Sequence, residues 1–240
     1  MKIGIMQPYF FPYIGYFQLL QYVDKMVLYD EIKYTKQSWI NRNRILLNHQ
    51  VHFFSIGLEK ASDYLYISQR KISDQFLKKD RKKILAQIQN AYQKAPFFNS
   101  VFELIQDCFH CVYDNLFEYI FYSIQKICQY LEIKTPLIIS STLGFDNEIK
   151  KEKKVIAIVK KVNGTKYINL IGGKDLYDSQ DFLKEDISLY FLKTHPLIYP
   201  QFGQAFQGFL SIIDVLMFNS LERTQHFLNQ FSLVCKHPNT

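Results

Sequence analysis

The chain has little of what several protein classes depend on. It has no uncharged apolar run of about eighteen residues, the length a helix needs to cross a bilayer. Its first apolar run, Ile3–Met6, is too short for a secretory signal and breaks at Pro8, so a cytoplasmic protein is expected. No internal repeat and no low-complexity tract is present. Cysteine is scarce, with 4 in 240 residues. Cys108 and Cys111 form a C-x-x-C around His110, but a redox motif sits at a helix N-terminus after a strand. Here the pair falls inside an expected helix, Phe102–Tyr122, and no further ligands stand in register for zinc. Both are read as buried small residues, and no metal is expected. Neither a Walker sequence nor a serine elbow occurs, so any transfer chemistry is expected to run by direct attack.

Aromatic residues are plentiful, with 21 Phe and 17 Tyr spread through the whole chain, and hydrophobic residues at 48% suffice for a sizeable core. That spread points to coding bias more than to one stacking site. The net charge of +7 favours an anionic partner. The lysines at 78–79, 82–83 and 150–154 lie on expected helices among acids and apolar residues, which reads as solvated faces rather than a nucleic-acid arm. A small phosphorylated substrate fits better than DNA or RNA.

The first forty-four residues organise the rest. Ile3–Met6 predicts a strand, Gln7 to Tyr13 an aromatic and proline-rich loop, Tyr13–Tyr22 a helix and Lys25–Asp30 a second strand. Strand, loop, helix, strand is a parallel opening, and ligands of open parallel sheets lie beyond the carboxyl ends of the strands. A polar stretch then leads into a hairpin of Arg44–Leu47 and Val51–Gly57 around Asn48-His49-Gln50. Residues 73–133 read as an inserted helical lobe, with helices over Gln75–Gln93, Val101–Asp114 and Asn115–Leu131, which either closes over the site or forms a dimer surface. The alternation resumes with strand Leu137–Ser140, helix Asn147–Val162 capped at Asn163-Gly164, strand Tyr167–Leu170, a tight turn at Gly172-Gly173-Lys174-Asp175 and strand Ser188–Leu192. Irregular chain from Pro196 to Gly208 precedes a helix over Leu210–Asn219. The pattern predicts one α/β domain over 1–240: a Rossmann-like parallel sheet with an inserted helical lobe.

Several residues could carry chemistry. Trp39 stands beside Asn41, Arg42, Asn43 and Arg44: guanidinium forks grip phosphate, asparagine reads amides and hydroxyls, and the indole stacks on a sugar or base. Gly173 and Lys174 offer backbone N–H groups and a cation to an anion. His195, just past a strand, is a candidate general base. Asp30 ends the second strand, where an acid often meets a sugar hydroxyl. Asp214 lies in an otherwise apolar helix and needs a partner.

Four ordered blocks, MKIGIMQPYFFPYIGYFQLL, YDEIKYTKQSWINRNRI, YINLIGGKDLYD and YPQF…FLSIIDVLMFN, resemble the WbqC-like family across nearly the whole chain. The resemblance implies a protein of surface-polysaccharide (O-antigen) biosynthesis that transfers glycine or another small acyl group to an amino sugar. The acceptor is expected to be nucleotide-linked, and the resemblance names no donor and no certain cofactor. The matching positions are Gln7, Pro8, Tyr9, Tyr13, Gly15 and Tyr16, then Asp30, Tyr34, Lys36, Trp39, Asn41, Arg42, Asn43 and Arg44, then Gly173, Lys174, Tyr199, Gln201, Ser211 and Asp214. A looser likeness is to the nucleotidylyltransferase-like fold, including pantoate–amine ligases. Those enzymes hold ATP phosphates with H-x-G-H, where this chain has Tyr13-Ile14-Gly15-Tyr16. An adenylating ligase and a non-catalytic sugar-nucleotide scaffold are the alternatives.

Overall fold

The opening apolar run forms strand β1 (Lys2–Met6), and Gln7-Pro8 ends it. The computed structural model describes residues 1–145, 151–203 and 205–235. Helix α1 (Ile14–Tyr22) follows, with Ile14 through Leu20 all buried, so it is apolar around most of its circumference and belongs to the interior. Strand β2 (Lys25–Leu28) returns parallel to β1, with Ile3 opposite Lys25 and Met6 opposite Leu28.

Strands β3 (Arg42–Leu47) and β4 (Gln50–Ser55) make a separate antiparallel ribbon. Its turn residues, Asn48 and His49, both take left-handed backbone (φ 50° and 61°), the geometry that matches strand twist in a two-residue hairpin. The hairpin is as expected, but its first strand begins two residues earlier, at Arg42. The helical lobe follows. A π-helical turn, Phe76–Asp80, leads into α2 (Arg81–Tyr92), then α3 (Phe98–His110) and α4 (Leu116–Tyr130). Asn115 caps α4 through its side-chain oxygen, which accepts from the amides of Phe117 and Glu118. Cys108 lies in the last turn of α3 and Cys111 just beyond it, so the C-x-x-C sits at a helix end, not mid-helix as the spacing suggested. Both are buried.

Strand β5 (Leu137–Ile139), helix α5 (Lys151–Lys161 as described) and strand β6 (Lys166–Leu170) resume the alternation. The expected start of α5, Asn147–Lys150, lies outside the described residues. Asn163 (φ 63°) supplies the left-handed cap after α5. The glycine turn after β6 is a 3-10 helix, Ile171–Leu176, rather than a tight turn, and neither Gly172 nor Gly173 has positive φ. A short helix α6 (Ser179–Leu183), strand β7 (Ser188–Thr194), helix α7 (Ile212–Phe218), helix α8 (Leu221–Leu228) and strand β8 (Phe231–Cys235) complete the chain. Among these, α6, α8 and β8 were not expected.

The main sheet has six strands in the order β5-β2-β1-β6-β7-β8. All neighbours are parallel except β7 and β8, which are antiparallel. Connections run outward from β1 in one direction and from β6 in the other, so the topology switches between these two strands. One buried cluster joins α1, the ribbon, the lobe helices α2–α4, α7 and α8 on one face, and a smaller one joins α5 and α6 on the other. The structure is thus a mixed α/β protein with a mainly parallel sheet flanked by helices. Among the described residues no helix is long and apolar enough to cross a membrane.

Candidate functional site

The loop after β1 turns back on itself at Phe11, whose backbone is left-handed at φ 45°. That is an unusual conformation for a bulky side chain, and it has to be held from outside. Asn43 and Ser211 hold it. The Asn43 amide donates to the carbonyls of Phe10 (3.1 Å) and Phe11 (2.7 Å), and the Ser211 hydroxyl donates to the same Phe11 carbonyl (2.8 Å). Both anchors are buried. Their place in the matching blocks is therefore accounted for by scaffolding.

Strand alternation puts Asn43 inward and its neighbours Arg42 and Arg44 on the other face of the ribbon. Arg44 lies directly opposite Phe53 in the pairing register. Trp39 stacks on Phe53 with ring centres 6.2 Å apart and planes 22° apart. The Arg42 guanidinium stands 5.7 Å from the Trp39 ring centre and 5.3 Å from that of Phe53, and the Arg44 guanidinium stands 5.5 Å from Trp39. Among the described residues no carboxylate pairs with either arginine. Arg42 Nε is buried with no hydrogen-bond partner, and Arg44 Nε donates to the carbonyl of Phe209 at 3.0 Å. Two cations gathered on one indole without an acid form a place for an anion.

Beside this patch lies a cavity of about 240 Å³ lined by Tyr9, Pro12, Tyr13, Trp39, Asn43, Arg44 and Phe209. Phe209 is 75% exposed and left-handed (φ 56°), a second strained aromatic at the same place. Burial raises the phenol pKa of both Tyr9 and Tyr13 above its ordinary value, so both stay neutral donors at neutral pH. For Tyr13 the nearby Thr194 side chain opposes that rise, so the phenol lies toward the carboxyl end of β7. The aromatic bend and the tryptophan–arginine patch therefore meet in one concavity, at the carboxyl edge of the parallel sheet.

The remaining candidates fall elsewhere. The Tyr34 hydroxyl donates to Asn41 Oδ1 at 2.9 Å, and the Asn41 amide donates to the carbonyl of Ile56 at 2.8 Å, so the pair fastens the base of the ribbon. Lys36 is exposed and pairs with Asp63 at 3.1 Å. Gln7 is half-buried at the end of β1. Gly173 and Lys174 sit past β6, beside β1 in the sheet but outside the cavity lining, and a Cβ on Gly173 would press on the Asn169 amide at 2.8 Å. His195 is exposed beyond β7, where its amide donates to the carbonyl of Gln230 at 3.1 Å.

Asp214, Tyr199 and Gln201 form one buried network. Asp214 accepts from the hydroxyls of Tyr92 (2.8 Å) and Tyr199 (2.7 Å) and from the Gln201 amide (2.6 Å). Asp214, the acid of an otherwise apolar helix, is wholly enclosed. Burial pushes its carboxyl pKa up while the three donors oppose the rise. Tyr92 also accepts the Leu46 amide at 3.1 Å, which ties the ribbon to the lobe and to the irregular chain before α7.

Asp30 lies in a different concavity, of about 450 Å³, under the lobe. Its Oδ1 accepts from the Ser140 hydroxyl (2.8 Å) and the Ser141 amide (3.0 Å). Sequence reasoning missed Phe53, Phe209 and the wall that α4 gives to this second cavity. Phe53 was findable, because a two-residue hairpin turn at 48–49 sets it opposite Arg44. Phe209 stands in irregular chain with no periodic signal. The three buried thiols are poor nucleophiles, since burial raises Cys108, moves Cys111 up to about 11 and Cys128 up to about 12. Among the described residues no cluster of His, Cys, Asp or Glu could hold a metal ion.

Fold and site together define a mainly parallel α/β protein with an aromatic-walled, arginine-bearing cleft at the carboxyl edge of its sheet. The model of the WbqC-like protein family matches residues 7–226, and the chain belongs to that family. The chain is also 26% identical over 227 residues to the uncharacterized protein Rv1507c of Mycobacterium tuberculosis, which covers 90% of this chain and 92% of the relative. No solved structure matches the chain.

Proposed function

We propose that the protein binds a nucleotide-linked amino sugar and transfers a small acyl or aminoacyl group to the sugar amine, in bacterial surface-polysaccharide biosynthesis. The observation that carries the binding part is the stack of Arg42 and Arg44 on Trp39, free of carboxylates among the described residues and open to the Tyr9–Tyr13–Phe209 cavity. A diphosphate would lie across the two guanidinium groups, where charge-assisted bonds are strongest. At about 240 Å³ the cavity is smaller than the ~300–1,000 Å³ of sites that hold a whole drug-sized ligand, so it suits one ring. The five parallel strands, β5-β2-β1-β6-β7, run outward from a switch between β1 and β6, an arrangement that supports a nucleotide-type ligand at the switch, while β8 joins antiparallel.

The transfer part rests on the family and on chemistry. The amine nitrogen attacks the donor's carbonyl carbon, the C–N bond forms, and the leaving group departs with its electron pair. His195 is the proposed acceptor of the ammonium proton, one residue beyond Thr194, whose side chain lies near the Tyr13 phenol. The buried thiols favour this direct route over a thioester on the protein. The proposal places the reaction in the cytoplasm.

The test joins two measurements on the purified chain. Calorimetry with UDP and dTDP should give binding that Arg44→Ala weakens about tenfold and that falls with added salt. Mass spectrometry with UDP- or dTDP-linked amino sugars and candidate acyl thioesters, aminoacyl carriers or ATP plus amino acid should record acyl addition, lost in His195→Ala. Nucleotide binding unchanged in Arg44→Ala would remove the binding reading. Binding without product from any donor would leave a sugar-nucleotide scaffold and remove the transferase reading.

A further inference from the structure

We infer that the cavity beneath the helical lobe is a second ligand site, and that it takes a primary ammonium group on a small hydroxylated body. It shares no lining residue with the arginine cleft. Its floor is Asp30, from the carboxyl end of β2, and Ser141 and Thr142, from the carboxyl end of β5; its wall is α4 and the turn before it. With about 450 Å³ it lies within the range of small-ligand sites.

The chemistry of the lining decides the ligand. Asp30 is 1% exposed. Its Oδ1 is held by Ser140 and Ser141, which fixes the carboxylate, while among the described residues no hydrogen bond reaches Oδ2. A carboxylate oxygen at the lining of a concavity, on a side chain otherwise enclosed, can take a donor from a ligand. The protein carries +7, yet among the described residues no Lys, Arg or His lines this cavity, and Glu118 adds a second acid at its rim. Lys126, next in sequence to the lining residue Gln125, pairs with Asp107 at 2.7 Å, and Lys154 pairs with Glu31 at 3.4 Å. The rings of Phe117, Phe121, Tyr113 and Tyr122 complete the wall, and one cation, Lys126, already stands 5.2 Å from the Tyr122 ring centre, as aromatic rings attract cations. An ammonium satisfies that carboxylate oxygen and the rings at once, where an anion would meet two acids. Ser68, Asn115, Gln125 and Thr142 supply donors and acceptors for hydroxyl groups.

The inference stands independently of the nucleotide proposal. Its probes are glucosamine, N-acetylglucosamine and glucose, which share one body and differ at the amine. Backbone amide NMR of the full chain should move Ser141, Asn115 and Gln125 on titration with glucosamine, and the other two sugars should move them at least about tenfold more weakly. Asp30→Asn keeps an oxygen for Ser140 and Ser141 and should abolish the response. Glu118→Gln, on the exposed first turn of α4, cannot unfold the chain and should weaken glucosamine severalfold. Equal responses to glucose and glucosamine, no response to glucosamine, or glucosamine binding unchanged in both variants would each overturn the site. UDP titrated in parallel reports the arginine cleft, so loss of one site is read separately from loss of the other.

Discussion

Replacing Asp214 by alanine is expected to cost the fold about 3–5 kcal/mol, the range for breaking a fully buried polar network. The carboxylate accepts from Tyr92, Tyr199 and Gln201 at 2.6–2.8 Å, and none of the three donors has water to turn to. Each orphaned donor costs about 1–3 kcal/mol, and the three do not add fully because they share one acceptor. Against a typical total of about 5–15 kcal/mol the loss is large. Urea unfolding followed by circular dichroism measures it as a drop in midpoint at unchanged slope. Asp214→Asn supplies a second reading through pH. Burial raises the folded carboxyl pKa above its ordinary 3.8, so between 3.8 and that raised value the folded chain holds a proton that the unfolded chain has released. Stability from this group is full below 3.8 and is lost as pH rises through the raised value. The asparagine variant does not titrate, so its deficit should be greatest in acid and shrink as pH rises. A cost for alanine below about 1 kcal/mol, or an asparagine deficit that grows with pH, would refute the reasoning.

Three further outcomes are expected. Asn43→Ala removes both bonds that hold the Phe10–Phe11 carbonyls and should cost about 2 kcal/mol, seen as a melting temperature lower by about 4–8 °C. Gly15→Ala would drive a methyl into the Tyr13 ring; the ring can swing away, so stability should change by less than about 1 kcal/mol while calorimetry records weaker UDP binding. Arg70→Met releases the carbonyls of Glu59, Ala61 and Ser62, which the buried guanidinium gathers at 3.1–3.4 Å, and should cost about 1.5–3 kcal/mol and open that loop to limited proteolysis.

Much of this architecture was legible in the chain itself. Apolar runs ending in Gln7-Pro8 and Asp30-Glu31 marked β1 and β2, and helical spacing at Ile120, Ile124, Ile127 and Leu131 marked α4. Strand β8 escaped because Phe231–Cys235 is a half-exposed edge of five residues with weak alternation. Helix α8 carried a signal that went unused: Ser220 caps it, and Thr224, Phe227 and Leu228 recur on its buried side. At the candidate site, Tyr9, Tyr13, Trp39 and Arg44 line one cavity, while Gly173, Lys174 and His195 lie outside it. Pattern reading could not separate Arg44 from Asn43, because the expected strand began at Arg44 and left Asn43 in the loop, whereas β3 begins at Arg42. Nor could it tell that Tyr199, Gln201 and Asp214 satisfy one another, since such closure depends on distances between remote segments.

The bend at Phe11 has a consequence for synthesis on the ribosome. Its carbonyl is gripped by a serine 200 positions downstream, while its other anchor is only 32 away. A nascent chain that has emerged as far as the ribbon can set one latch but not the other, so the aromatic cleft is assembled only after Ser211 has left the exit tunnel. Until then the opening rings are apolar surface without a cover, and protection by a chaperone would matter most during that interval.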